Sequence, residues 1–143
     1  MNEFDNIDFE ILGDDVATCN FSFKIIIGDQ NVGKSSITMR GAKNLFNEVY
    51  TPTVGFEFIT FNVRINEQIV KLQIWDTCGQ ERYRSLISSF YRNSCLAIIV
   101  YSIDSQNSFE SVEDWIDEIK SQTNPNIKIF LIGNKVDLEG KDV

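Results

Sequence analysis

The stretch Phe21–Ser36, FSFKIIIGDQNVGKSS, limits what this chain can fold into more than any other part of it. Phe21 to Ile27 is an apolar, β-branched run, long enough for a buried strand and far too short to cross a bilayer. It ends at Gly28, and Gly28, Gly33, Lys34 and Ser35 then fit the pattern G-x-x-x-x-G-K-[ST]. The glycines permit a tight wrap in which successive backbone N–H groups converge on a phosphate. Lys34 supplies a point charge for terminal phosphates, and the Ser35 hydroxyl suits Mg²⁺. Lys34 to about Lys43 reads as a helix, whose N-terminal dipole and free N–H groups face the same phosphate.

The rest of the chain repeats the alternation of strand and helix. After the first helix, NLFNEVYTPTVGF reads as a loop, with Pro52 and Gly55 in it. Ile59, Phe61, Val63 and Ile65 alternate with polar residues, as do Val70, Leu72 and Ile74. Asn66 and Glu67 join the two runs, which makes them antiparallel neighbours. A loop from Thr77 to about Arg84 and a short helix to about Arg92 come next. CLAIIVY (95–101) is apolar throughout, as a strand covered on both faces would be. Phe109, Val112, Ile116 and Ile119 form a helical stripe, with Ser105 or Asn107 as cap and Pro125 as stop. Ile127 to Ile132 is a further buried strand. The pattern predicts a mostly parallel sheet with helices on both faces and one antiparallel edge strand.

Composition narrows the function. A chain of 143 residues with 43% hydrophobic and 24% charged residues supports one globular domain. A net charge of −8 disfavours nucleic acid and anionic membrane surfaces as partners, and it also opposes a phosphorylated ligand. Local donors must therefore overcome the global field. Three cysteines, Cys19, Cys78 and Cys95, show no CxxC spacing, which fits a reducing, cytoplasmic setting better than zinc or disulfides. There is no histidine, so an imidazole base is excluded. The N-terminus lacks the charged and apolar regions of a signal peptide, and LEGKDV at the C-terminus carries no cysteine for a lipid anchor. Residues 1–20 are acidic and aperiodic and read as a partly ordered extension, with Phe4, Ile7, Phe9, Ile11 and Leu12 able to form a strand or pack on the domain. Residues 21–143 then form the main domain.

More polar residues converge on the phosphate loop. Asp76 closes its strand at the sheet's carboxyl end, where α/β folds bind ligands, and its carboxylate suits Mg²⁺ beside Ser35. Thr53 offers a second hydroxyl from the loop before the hairpin. Asn134, Lys135 and Asp137 follow the last strand at the same end.

With these motifs in order, the chain resembles the small GTPases of the Ras superfamily, most closely the Rab branch. The matching segments are GDQNVGKSS, YTPTVG, KLQIWDTCGQERYRS, FYRNS, IIVYSID and LIGNKVDL, which run from about Phe21 to the end. The resemblance implies a P-loop NTPase fold and a GTP-binding switch of vesicle trafficking that slowly hydrolyses GTP to GDP with Mg²⁺. It implies that Gly28, Asn31, Val32, Gly33, Lys34, Ser35 and Ser36 wrap the phosphates, with Tyr50 and Thr53 from the next loop. Ser35, Thr53 and Asp76 would hold Mg²⁺, the Gly79 N–H would touch the γ-phosphate, and Gln80 would orient the attacking water with Lys34 neutralising charge. Asp137 would accept the two N–H groups of the guanine edge, Asn134 would brace the loops, and the Lys135 stem and Phe46 would cover the base. Exchange factors, activators and effectors would meet loops 46–55 and 77–84, with Phe58, Trp75 and Tyr91 as an aromatic patch.

The chain departs from the family at Gln30 and Asn31, where small residues are usual, and at Cys78, where alanine is usual. Gln30 beside a γ-phosphate is expected to hinder activated hydrolysis more than binding. A second reading is therefore a hydrolysis-deficient, nucleotide-stabilised interaction module. The family also continues beyond the guanine motif with a further contact loop and a final helix. The sequence ends at Val143, which predicts an exposed apolar face and weaker guanine binding, unless the acidic N-terminal extension, a second domain or a dimer covers that face.

Overall fold

The computed structural model describes residues 9–12, 21–27, 30–46, 56–77 and 94–138. They form six strands and two helices: β1 (Phe9–Leu12), β2 (Phe21–Ile27), α1 (Lys34–Lys43), β3 (Phe56–Ile65), β4 (Gln68–Thr77), β5 (Leu96–Ser102), α2 (Gln106–Gln122) and β6 (Lys128–Asn134). The predicted short helix near residues 84–92 lies outside the described residues.

All six strands make one sheet in the order β1-β3-β4-β2-β5-β6. β2 pairs in parallel with β4 and β5, and β5 in parallel with β6. β3 and β4 are the expected antiparallel hairpin, closed by Asn66 and Glu67 between the paired Ile65 and Gln68. Asn66 takes the left-handed conformation (φ 55°) that the tight turn requires and that asparagine tolerates better than most residues.

β1 adds to the expected topology. It comes from the acidic extension and pairs antiparallel with β3, from Phe9 opposite Ile65 to Leu12 opposite Asn62. Its short apolar and β-branched run satisfies backbone groups on the outer side of β3, and Glu10 meets Arg64 at 3.1 Å. The antiparallel strand β3 is thus flanked on both sides.

Two apolar clusters cover the faces of β5. On one face Ala97 and Ile99 pack with Val112, Trp115 and Ile119 of α2. On the other, Val100 and Ile74 pack with Val32, and Ile37 of α1 leans on them. On β6, Phe130 and Leu131 are 56% and 51% exposed. They point to opposite sides of the strand, as neighbours in a pleated strand must.

Candidate nucleotide site

Parallel strands place their carboxyl ends together. Ile27 stands opposite Asp76 in the ladder, and Ser102 stands opposite Asn134. The carboxyl ends of β2, β4, β5 and β6 therefore share one rim, where an α/β sheet binds its ligand.

The phosphate loop enters α1 through Gly33 at φ 96°. That conformation suits glycine, and a Cβ there would run into the Asn134 amide. Asn31 is also left-handed, at φ 58°. Asparagine accepts this conformation at low cost. Val32, between them, turns its side chain into the core and anchors the loop from below.

No side chain caps the N-terminus of α1. A helix start leaves N–H groups without intrahelical partners, and here they face the rim. Lys34, the first residue of α1, is only 5% exposed, and a phosphate is the electrostatic complement of its ammonium. Thr38 returns its hydroxyl to the Lys34 carbonyl at 2.9 Å, which fixes the first turn. Ser35 and Ser36 follow in that turn and are partly exposed. At the other end, Asn44 (φ 53°) closes the helix with its N–H on the Arg40 carbonyl and that of Leu45 on Met39, at 3.0 and 3.4 Å. Phe46, just beyond, is 60% exposed and carries the Arg40 guanidinium over its ring at 5.9 Å.

The second half of the site comes from the end of β6. Asn134 donates through Nδ2 to the Val32 carbonyl at 2.9 Å, a contact between positions 102 apart in sequence. Lys135 donates through Nζ to the Asn31 carbonyl at 3.1 Å. Lys135 is left-handed (φ 65°), a conformation that costs a lysine about 1–2 kcal/mol. Its neighbours offset this: the Ile103 N–H bonds the Asn134 carbonyl at 3.1 Å, and the Leu138 N–H bonds that of Lys135 at 3.1 Å. Asp137 lies on the exposed outer side of this turn. Gly133 leaves room for Tyr101, whose hydroxyl would be 2.7 Å from an added Cβ.

The structure thus brings together Asn31, Val32, Gly33, Lys34, Ser35, Ser36, Asn134 and Lys135, with Asp137 two residues further along the same turn. Asp76 is placed by its strand at the same rim. Gly28, Tyr50, Thr53, Gly79 and Gln80 lie outside the described residues, as does Tyr91 of the aromatic patch. Trp75 is half-buried and stands opposite Phe58 in the ladder.

One group at the rim was not singled out from sequence. Ser102 is buried, and its hydroxyl donates to Asp104 Oδ1. The Ser108 hydroxyl accepts from the Ser102 N–H at 3.0 Å and donates toward the Ser105 carbonyl at 2.8 Å. The hydrogen bond from Ser102 holds the Asp104 carboxyl below its ordinary range. Desolvation opposes this, while the positive charge of Lys135 and the backbone add to it. A run of Ser and Asp directly after a buried strand is the signal that would have pointed there.

Comparison with known proteins agrees with this architecture. A sequence model described as the Ras family matches residues 24–143. The chain belongs to the Ras family. It is 47% identical over 120 residues to the Ras-related protein Rab11B of Nicotiana tabacum, covering 83% of this chain and 55% of that protein. It is 45% identical to the Ras-related protein RABA1b of Arabidopsis thaliana and 46% to the GTP-binding protein ypt3 of Schizosaccharomyces pombe, each over 120 residues, 83% of this chain and 56% of the relative. The chain spans about half the length of the curated relatives it matches.

Proposed function

We propose that this chain is a Rab-like molecular switch that binds GTP and GDP with Mg²⁺, hydrolyses GTP slowly to GDP and phosphate, and acts in vesicle trafficking. The observation that carries the reading is the pair of bonds from Asn134 and Lys135 to the carbonyls of Val32 and Asn31. They join a phosphate-binding loop and a base-reading loop into one site, as a nucleotide with its base and phosphates at opposite ends requires. Asp137 on the turn is the acceptor that distinguishes guanine, since its carboxylate matches the two N–H groups of the guanine edge and adenine lacks that pair.

The amides of the loop and of the α1 N-terminus, with Lys34, bind the phosphates. The hydroxyls of Ser35 and Thr53 and the carboxylate of Asp76 are hard oxygen donors suited to Mg²⁺, and Ser35 and Asp76 share a rim. Mg²⁺, when bound, neutralises charge on the phosphate oxygens. Gln80 orients the attacking water, and Thr53 and Gly79 order their loops against the γ-phosphate, so that its loss releases them. Exchange factors, activators and effectors read those loops, at 46–55 and 77–84. The chain works in the cytoplasm, with residues 1–20 as an extension and 21–143 as the nucleotide-binding unit. The exposed side of β6 is covered by a second copy or another domain.

Gln30, exposed at the mouth of the loop, favours a second reading in which nucleotide is bound but turned over negligibly. Purified chain, denatured and its released nucleotide identified by ion-exchange chromatography, separates the two. Stoichiometric GDP supports the switch and retained GTP the inert module. Adenine nucleotide contradicts both.

A further inference from the structure

Gly133 is the last residue but one of β6 and stands opposite Tyr101 in the ladder with β5. Residues paired in this way share one face of a sheet. Here it is the face that α2 covers, since Tyr101 packs on the cluster of Val112, Trp115 and Ile119. A Cβ built on Gly133 would lie 2.7 Å from the Tyr101 hydroxyl oxygen, 2.9 Å from Cζ and 3.3 Å from Cε1. The ring therefore lies against the Gly133 backbone and leaves no room for a methyl. The φ of Gly133 is not in the left-handed region, so close approach, rather than backbone conformation, is what requires glycine there. The ring is held in turn by Phe109 of α2, at 5.1 Å between centroids and 62° between planes.

We propose that Tyr101 is a positioning residue of the nucleotide site: its ring, in contact with Phe109 and with the Gly133 backbone, limits how far the end of β6 can move toward α2 and so aims Asn134 at the phosphate loop and Asp137 at the base. This inference rests on the guanine-nucleotide reading for its effect on base recognition, but not for the ring's hold on β6. The path is continuous in the structure. Phe109 meets Tyr101, Tyr101 meets Gly133, and the next residue, Asn134, donates to the Val32 carbonyl at 2.9 Å. The Asn134 carbonyl also accepts the Ile103 N–H at 3.1 Å, so backbone and ring both fix the end of β6 to that of β5. The bond to Val32 has little slack. A hydrogen bond of this kind is lost by about 3.6 Å, so a shift of less than about 1 Å at Gly133 would release it. A rigid ring against a bare backbone holds position to that tolerance better than a flexible side chain would.

Tyr101→Leu keeps an apolar side chain on the α2 cluster and removes the ring from Gly133. GDP presents two N–H groups to Asp137 and inosine diphosphate presents one, so the ratio of their affinities reports the aim of the turn, and a general loss of stability cancels from it. In a fluorescence competition titration with Mg²⁺, the parent chain should prefer GDP by about tenfold or more, the range of a hydrogen bond to a charged group. Tyr101→Leu should narrow that preference by about threefold or more, a partial loss of one such bond. Gly133→Ala should do the same in the parent, because its methyl displaces the ring, and should cause no further loss once Tyr101 is leucine. Trp115→Ala, which loosens the same α2 cluster away from Gly133, should leave the preference at the parent value. Tyr101→Phe removes only the hydroxyl, the atom nearest Gly133. It should keep the parent preference and soften the effect of Gly133→Ala, which makes it the test pair if Tyr101→Leu does not fold. An unchanged preference in Tyr101→Leu, or an equal effect of Gly133→Ala with and without the ring or its hydroxyl, overturns the proposal. A parent chain that binds no GDP refutes the guanine reading instead. Hydrogen exchange at the Leu138 N–H, which bonds the Lys135 carbonyl, then decides the ring's hold. Tyr101→Leu should quicken it more than exchange along the β5–β6 ladder, and an equal change in both overturns the proposal.

Discussion

Helix α2 buries Val112, Trp115 and Ile119 against the sheet, whereas the buried residues of α1 are Lys34 and Thr38. The two helices cover opposite faces and are held by different means. α2 has the features of a stable helix. Ser105 caps it, accepting the Ser108 N–H, and an apolar stripe runs along its inner side. α1 has a glycine at its N-cap and no side-chain cap, and it leans on the core mainly through Ile37. A cap on α1 would satisfy the N–H groups that a phosphate needs. The contrast teaches that one helix is built for stability and the other keeps its end open for a ligand.

Changes to the two helices should therefore separate stability from binding. The largest effect is expected from Trp115→Ala, which empties the centre of the α2 cluster and should lower unfolding free energy by about 3–5 kcal/mol. Urea titration measures it, and the chain that stays folded should bind nucleotide as before. Gly33→Ala should act on binding as well as on stability. Its left-handed backbone costs about 1–3 kcal/mol in a non-glycine residue, and the new methyl displaces the Asn134 amide. Nucleotide binding should fall by at least tenfold, roughly the affinity that 1.4 kcal/mol represents, in a fluorescence titration. Ser105→Ala removes the α2 cap and should cost about 1 kcal/mol in thermal melting. The smallest effect belongs to a site remote from both helices. Arg64→Ala breaks the exposed pair with Glu10 and should change stability by no more than about 1 kcal/mol, with the difference fading in high salt.

Much of this was legible in the sequence because the signals were local. The span of α1, the two-residue turn at Asn66 and Glu67, the Ser105 cap and the apolar β5 each follow from a few adjacent residues. The pairing of β1 with β3 was not, since a few apolar residues in an acidic extension fit either a strand or a packed segment until a partner edge is known. The left-handed Lys135 gave no sequence signal either: lysine has no preference for that conformation, and bonds from elsewhere in the fold impose it. What sequence reasoning missed was tertiary in each case.

The most direct test of the central claim is a calorimetric titration of nucleotide-free chain with GDP and, separately, with ADP, both with Mg²⁺. A single site formed by the loop at α1 and the turn at Asp137 predicts saturable binding of one GDP per chain and no measurable heat with ADP. Equal binding of the two nucleotides would mean that the turn does not read the base. Binding of neither would mean that the bridged loops do not form a nucleotide site.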